Sequence, residues 1–159
     1  MQKKFYLDTA IWRDYFEDRS DGIRPLGEFA YQFLRNCGKK GCKVLYSSLV
    51  VQELRSDYYK ERVAEVFSSF RHILAEVSIS NEQIAEANKV SLSAKGTHLK
   101  DALHAILARD NKAIMITRDR HFDALTDFVE MQGQKTFTFE QVSFQASLYI
   151  SLQLLQSAS

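Results

Sequence analysis

The chain has 159 residues, 45% of them hydrophobic, and a formal net charge of +1. That is the length of one domain able to bury a real core, and a single proline and six glycines exclude a low-complexity or disordered chain. The charge excludes a protein that coats DNA through a basic surface, and no apolar run approaches the ~20 residues of a membrane helix.

Phe5-Tyr6-Leu7 predicts a short strand that stops at Asp8. The basic pair Lys3-Lys4 is followed by too short an apolar stretch for a signal peptide, so a cytoplasmic protein without membrane attachment is expected. Thr9 can cap a helix in which Ile11, Trp12, Tyr15 and Phe16 share one face. After a turn from Asp18 to Gly22, residues Leu26, Phe29, Ala30, Phe33 and Leu34 predict a second helix, with Gly38 at its C-cap. Cys37 and Cys42 flank a basic turn, Lys39-Lys40-Gly41. No nearby His or Cys completes a set of about four zinc ligands, so they read as buried or idle thiols. Lys43 to Tyr46 predicts a second strand, and Ser47 or Ser48 can cap the helix that carries Glu53.

Val63, Val66, Phe67, Phe70 and Leu74 predict a further helix, and Glu76 to Ser80 a short extended piece or linker. Ile84, Ala87 and Val90 continue at helical spacing. Leu99, Leu103, Ile106 and Leu107 line the next helix, whose other side carries Ala102, Ala105 and Ala108, so it can pack closely on two sides. Ala113-Ile114-Met115-Ile116-Thr117 is a near-continuous apolar run, the pattern of a strand in a parallel sheet covered on both faces. Lys135 to Phe139 reads as a last strand. From Gln141 on, Val142, Ala146, Tyr149 and Ile150 read as a terminal helix. Strands alternating with helices predict an α/β fold: a central, mainly parallel sheet of about four or five strands with helices on both faces, residues 1–159 forming a single domain.

Four acids stand out on that layout. Asp8 closes the first strand, and Asp119 lies two residues past the Ile114–Thr117 strand. Glu53 is in the helix after the second strand, and Asp101 is at the start of the helix from Leu99 to Arg109. An open parallel sheet binds ligands beyond the carboxyl ends of its strands, where strand order reverses, so these residues can meet in one crevice. Carboxylates brought together repel unless a cation joins them, and oxygen ligands favour magnesium or manganese. Taken singly, each acid is as readily a helix cap, a first-turn charge or a solvated residue.

The chain resembles the PIN-domain family. The matching segments are Phe5-Tyr6-Leu7-Asp8-Thr9, Ser47 to Leu54, Lys100-Asp101-Ala102-Leu103-His104 to Ala108, and Ile116-Thr117-Arg118-Asp119-Arg120-His121-Phe122. The resemblance implies a Mg2+- or Mn2+-dependent ribonuclease that cuts RNA with metal-activated water. It places Asp8, Glu53, Asp101 and Asp119 on the family's acidic, metal-binding positions, with Thr117 as a supporting hydroxyl. Thr9, in the Asp-Thr of the first segment, is expected to support the site as well. Proteins of this length in the family are often toxins of VapC-like toxin–antitoxin pairs, which implies an antitoxin partner and a homodimer. The long helical segment between Glu53 and Asp101 and the aromatic tail after Phe137 depart from the family pattern.

Arg118, Arg120 and His121 flank Asp119 and are candidates for contact with the RNA backbone, as is Arg13. His98 and His104 read as structural, because a metal-hydroxide mechanism needs no histidine. Other functions fit less well. A phosphotransferase with Asp8 as nucleophile wants a second Asp where Ala10 stands, and Gly38-Lys39-Lys40-Gly41 lacks the spacing of a phosphate-binding loop. The alternatives that survive are an RNA-processing or DNA-repair nuclease, and a PIN-like module that binds or regulates without cutting.

Overall fold

The computed structural model describes residues 2–93, 96–119, 122 and 125, and the backbone of 136–138. The terminal helix expected from Gln141 lies outside the described residues. Among the described residues five strands form one parallel sheet: β1 (Lys4–Leu7), β2 (Lys43–Ser47), β3 (Leu74–Val77), β4 (Ile114–Thr117) and β5 (Thr136–Thr138). Their order is β3-β2-β1-β4-β5. β1 is central, pairing Phe5 with Val44 on one side and with Ile114 on the other. The chain builds outward from β1 through β2 to β3, then returns to the other side of β1 for β4. The strand order therefore reverses between β1 and β4, which is where a parallel sheet opens a crevice.

Among the described residues six helices accompany the sheet: α1 (Thr9–Glu17), α2 (Leu26–Lys39), α3 (Ser48–Asp57), α4 (Lys60–Ser69), α5 (Asn81–Ser93) and α6 (Leu99–Asp110). The core runs through them and both faces of the sheet, with Tyr6, Leu7, Trp12, Val44, Val50, Leu54, Ile106 and Met115 all shielded from solvent. Every residue from Ala102 to Ala108 is buried, so α6 is covered all round, as its alanines on one side and leucines on the other predict. α5 packs against it. Cys37 and Cys42 are free and buried, and burial pushes the Cys37 thiol up to about 12. No helix among the described residues is long and apolar enough to cross a membrane.

Three local expectations change. The helix expected to run from Val63 to Leu74 ends at Ser69, and Leu74 begins β3. The chain turns at Phe70, where the Ile73 amide bonds the Phe70 carbonyl at 2.9 Å. The extended piece expected from Glu76 therefore starts two residues earlier, paired with β2 from Leu74↔Val44 onward. Phe70 and Ile73 are both buried, so the apolar stripe continued through the turn without marking it. Gly38 is not the C-cap of α2. The helix continues to Lys39, and Gly41 takes the left-handed turn with φ 65°. Gly38 instead lets α2 approach His72: a Cβ there would lie 3.1 Å from the ring Nε2.

A third correction concerns the caps. Asp8, not Thr9, occupies the N-cap of α1, and neither Asp8 nor Ser47, the N-cap of α3, makes a side-chain cap bond. Asp8 accepts from Thr117 instead, and Ser47 bonds the buried Tyr6 hydroxyl.

Candidate active site

Two clusters meet beyond the carboxyl ends of β1 and β4. The first joins the ends of those strands. Parallel pairing sets Leu7 opposite Ile116, and the Asp8 amide continues the ladder to the Ile116 carbonyl at 3.0 Å. Thr117 then faces Asp8. Its hydroxyl donates to Asp8 Oδ2 at 2.9 Å and accepts the Asp119 amide at 3.0 Å. One hydroxyl thus orients the first carboxylate and folds back the loop that carries the last. Asp8 is 6% exposed. Burial pushes its carboxyl above the usual range and the charge of Asp119 adds to the rise, against the pull of His104 and of the bond from Thr117. The charge of Asp119 is thus close enough to act on Asp8.

The second cluster is centred on Glu53, in the middle of α3. Thr9, the first residue of α1, donates its hydroxyl to Glu53 Oε2. From α6, His104 Nε2 stands 3.2 Å from the same oxygen and Lys100 Nζ 3.3 Å from Oε1. Burial would raise the Glu53 carboxyl, but the bonds from His104 and Thr9 and the nearby Lys100 outweigh it and bring it down to about 2. Since Thr9 follows Asp8 directly, this cluster abuts the first. Asp101 sits in the first turn of α6, between Lys100 and His104 in sequence and three residues before the histidine, which sets it on the face that meets Glu53. Of the four acids expected to form a site, Asp8 and Asp119 are joined through Thr117, Glu53 is held beside Thr9, and Asp101 stands in the first turn of α6.

Among the described residues no three His, Cys, Asp or Glu side chains converge into a ready-made metal cage. The donor set nonetheless suits a hard cation that keeps its own waters and takes only one or two carboxylates directly. Its oxygens are carboxylate oxygens, and the charge of Asp119 adds to the cost of ionising buried Asp8, a cost that a bound cation would relieve.

The basic candidates are placed differently. Arg118 spends Nε and Nη2 on the wholly buried Asp14 of α1, at 2.7 and 2.8 Å. Its side chain stays 35% exposed, with an edge toward solvent. Arg13 pairs with Asp57 at 2.7 Å. Arg120 and His121 lie outside the described residues. Tyr6, Lys100 and Asp14 carry no site role in the sequence reading, Ser47 is there only a cap candidate, and His104 reads as structural. The available signal for His104 was its spacing from Asp101 on one helix; for Ser47 it was the strand end beside Tyr6's strand.

Residues 5–127 match the PIN domain family. The fold is similar to that of several solved structures. One is the crystal structure of VapBC2 from Rickettsia felis bound to a DNA fragment from their promoter, with TM-score 0.59 and 16% identity over 85% of this chain and 98% of that one. A toxin–antitoxin complex from Klebsiella pneumoniae gives TM-score 0.54 and 21% identity over 74% of this chain and 88% of that one. FitAcB from Neisseria gonorrhoeae gives 0.56 and 17% over 85% and 97%. No curated protein sequence is matched.

Proposed function

The chain belongs to the PIN-domain family, and on that premise we propose that it is a metal-dependent ribonuclease, the toxin of a toxin–antitoxin pair. The observation that carries this reading is the pairing of Asp8 and Asp119 through Thr117 at the point where the strand order reverses. Asp8, Glu53, Asp101 and Asp119 would hold Mg2+ or Mn2+. Bound there, such an ion neutralises a phosphodiester and makes water a nucleophile at neutral pH.

The chain's own residues supply order. Thr117 keeps Asp8 and the Asp119 loop at a fixed separation, and Thr9 and Lys100 hold the Glu53 carboxylate across the crevice from them. Arg118, clamped by Asp14, supports the same loop and offers its exposed edge to RNA phosphate. Arg13, Arg120 and His121 are the further candidates for backbone contact. Toxin–antitoxin complexes among the similar structures support an antitoxin partner, and the family resemblance implies a homodimer.

The test is cleavage of a mixed RNA substrate with Mg2+ by the protein and by Asp8→Asn and Asp119→Asn. Both variants should fold and fail to cut. Equal cutting by all three would remove the site assignment, and absence of cutting under broad conditions would favour a binding module. Expression without the antitoxin should halt growth; a housekeeping nuclease would not.

A further inference from the structure

Glu53 ends a buried chain of polar side chains that crosses the protein from β2 to α3. Ser47 Oγ lies 2.9 Å from Tyr6 Oη, and Tyr6 Oη lies 2.9 Å from His104 Nδ1. His104 Nε2 lies 3.2 Å from Glu53 Oε2. Tyr6 and Ser47 are completely buried and His104 is 1% exposed. Burying so many polar groups costs stability unless each finds a partner, so the bonds must be mutually consistent.

Consistency sets their direction at the end that matters. Glu53 faces the Lys100 ammonium and accepts from Thr9, so it is a carboxylate and can only accept. The hydrogen between it and the ring must therefore reside on Nε2. Tyr6 occupies Nδ1 from the other side and fixes the ring plane, and the tilted contact between the two rings, 5.7 Å between centroids, packs it there.

We propose that His104 is a positioning residue that holds the Glu53 carboxylate in the metal-binding crevice through Nε2–H, with Tyr6 and Ser47 orienting the ring. A glutamate on its own helix has several rotatable bonds, and the Thr9 hydroxyl with the flexible, 62% exposed Lys100 side chain does not by itself fix its plane. His104 adds a second donor on the same oxygen. Because it stands three residues from Asp101 on α6, it also ties the position of the α3 acid to that of the α6 acid. This inference rests on the reading of the crevice as a metal site.

Two measurements test it without RNA. In nitrogen-15 NMR of the metal-free protein, His104 should carry its hydrogen on Nε2. A ring with bare Nε2 would overturn the proposal. Mn2+ affinity, measured by electron paramagnetic resonance, should fall about tenfold or more in His104→Leu, as when an outer partner of a metal ligand is lost. His104→Gln, whose amide can still donate to Glu53, should restore most of it. Tyr6→Phe should weaken Mn2+ binding in the native background and add nothing to His104→Leu. Native affinity in His104→Leu would overturn the proposal; should that variant fail to fold, Tyr6→Phe and the NMR readout decide. If the native protein binds no Mn2+, the metal-site reading fails. The hydrogen on Nε2 then still decides whether His104 holds Glu53.

Discussion

The guanidinium of Arg118 grips the carboxylate of Asp14 with two parallel hydrogen bonds, 2.7 and 2.8 Å long, at a point where Asp14 has no exposure at all. The pair joins the loop after β4 to the middle of α1 and so holds Asp119 over Asp8. Arg19 stands 4.0 Å from the same carboxylate and is too far to replace the fork. Removing Arg118 strands a buried charge, whereas the charge and the fork together are nearly balanced. Arg118→Ala should therefore cost about 3 kcal/mol in urea unfolding, by the usual penalty for breaking a buried pair. Adding Asp14→Asn should recover part of that loss. A double variant less stable than Arg118→Ala would contradict this account.

Thr117→Val keeps the shape of the side chain and deletes the hydroxyl that bridges Asp8 and the Asp119 amide. RNA cleavage should fall about 10- to 100-fold, the usual effect of losing a support behind a metal ligand. Thr117→Ser should retain most of the rate. Comparing the rates of the two variants at saturating Mg2+ separates the hydroxyl from the methyl.

Asp8 and Glu53 should affect stability in opposite directions. The Asp8 carboxyl is raised by burial, so its contribution is full below its unfolded value and is lost as pH rises through its folded value. The Glu53 carboxyl is brought down to about 2, so its contribution is present above its unfolded value and is lost as pH falls toward about 2. At neutral pH without divalent metal, Asp8→Asn should be more stable than the native protein and Glu53→Gln less. In acid, near pH ~2, the deficit of Glu53→Gln should close. Urea titrations at both pH values measure this, and an Asp8→Asn protein that is the less stable at neutral pH would refute it.

Gly27 lets the start of α2 pass against the end of α1. A Cβ there would stand 2.5 Å from the Asp18 Cα and 2.8 Å from the Asp14 carbonyl oxygen, both backbone atoms that cannot move aside. Gly27→Ala should cost about 2 kcal/mol, within the range for overpacking. A shift in the denaturant midpoint without a change in slope is the expected signature.

The amino-acid sequence by itself determined the alternation of strands and helices, the strand ends at Asp8 and Thr117, the helix that carries Glu53 and the burial of α6. Each follows from apolar periodicity over a few residues, which the chain carries locally. Tertiary structure alone decided that β1 lies beside β4, which lets Thr117 reach an aspartate 109 positions away. It also decided where the hydroxyls go. Thr9 and Ser47 stand at helix starts, where a hydroxyl ordinarily bonds its own backbone, yet they bond Glu53 and Tyr6 instead. A cap bond and a bond to a distant side chain are close in energy, and one to a carboxylate is the stronger. The choice therefore rests on which partner the packed sheet brings within reach. The same holds for the ends of the α4 and α2 helices, where buried Phe70 and Ile73 continue the helical stripe through a turn and Gly38 serves a contact with His72 rather than a cap. Local spacing records that a residue is buried; what it is buried against exists only once the strands are side by side.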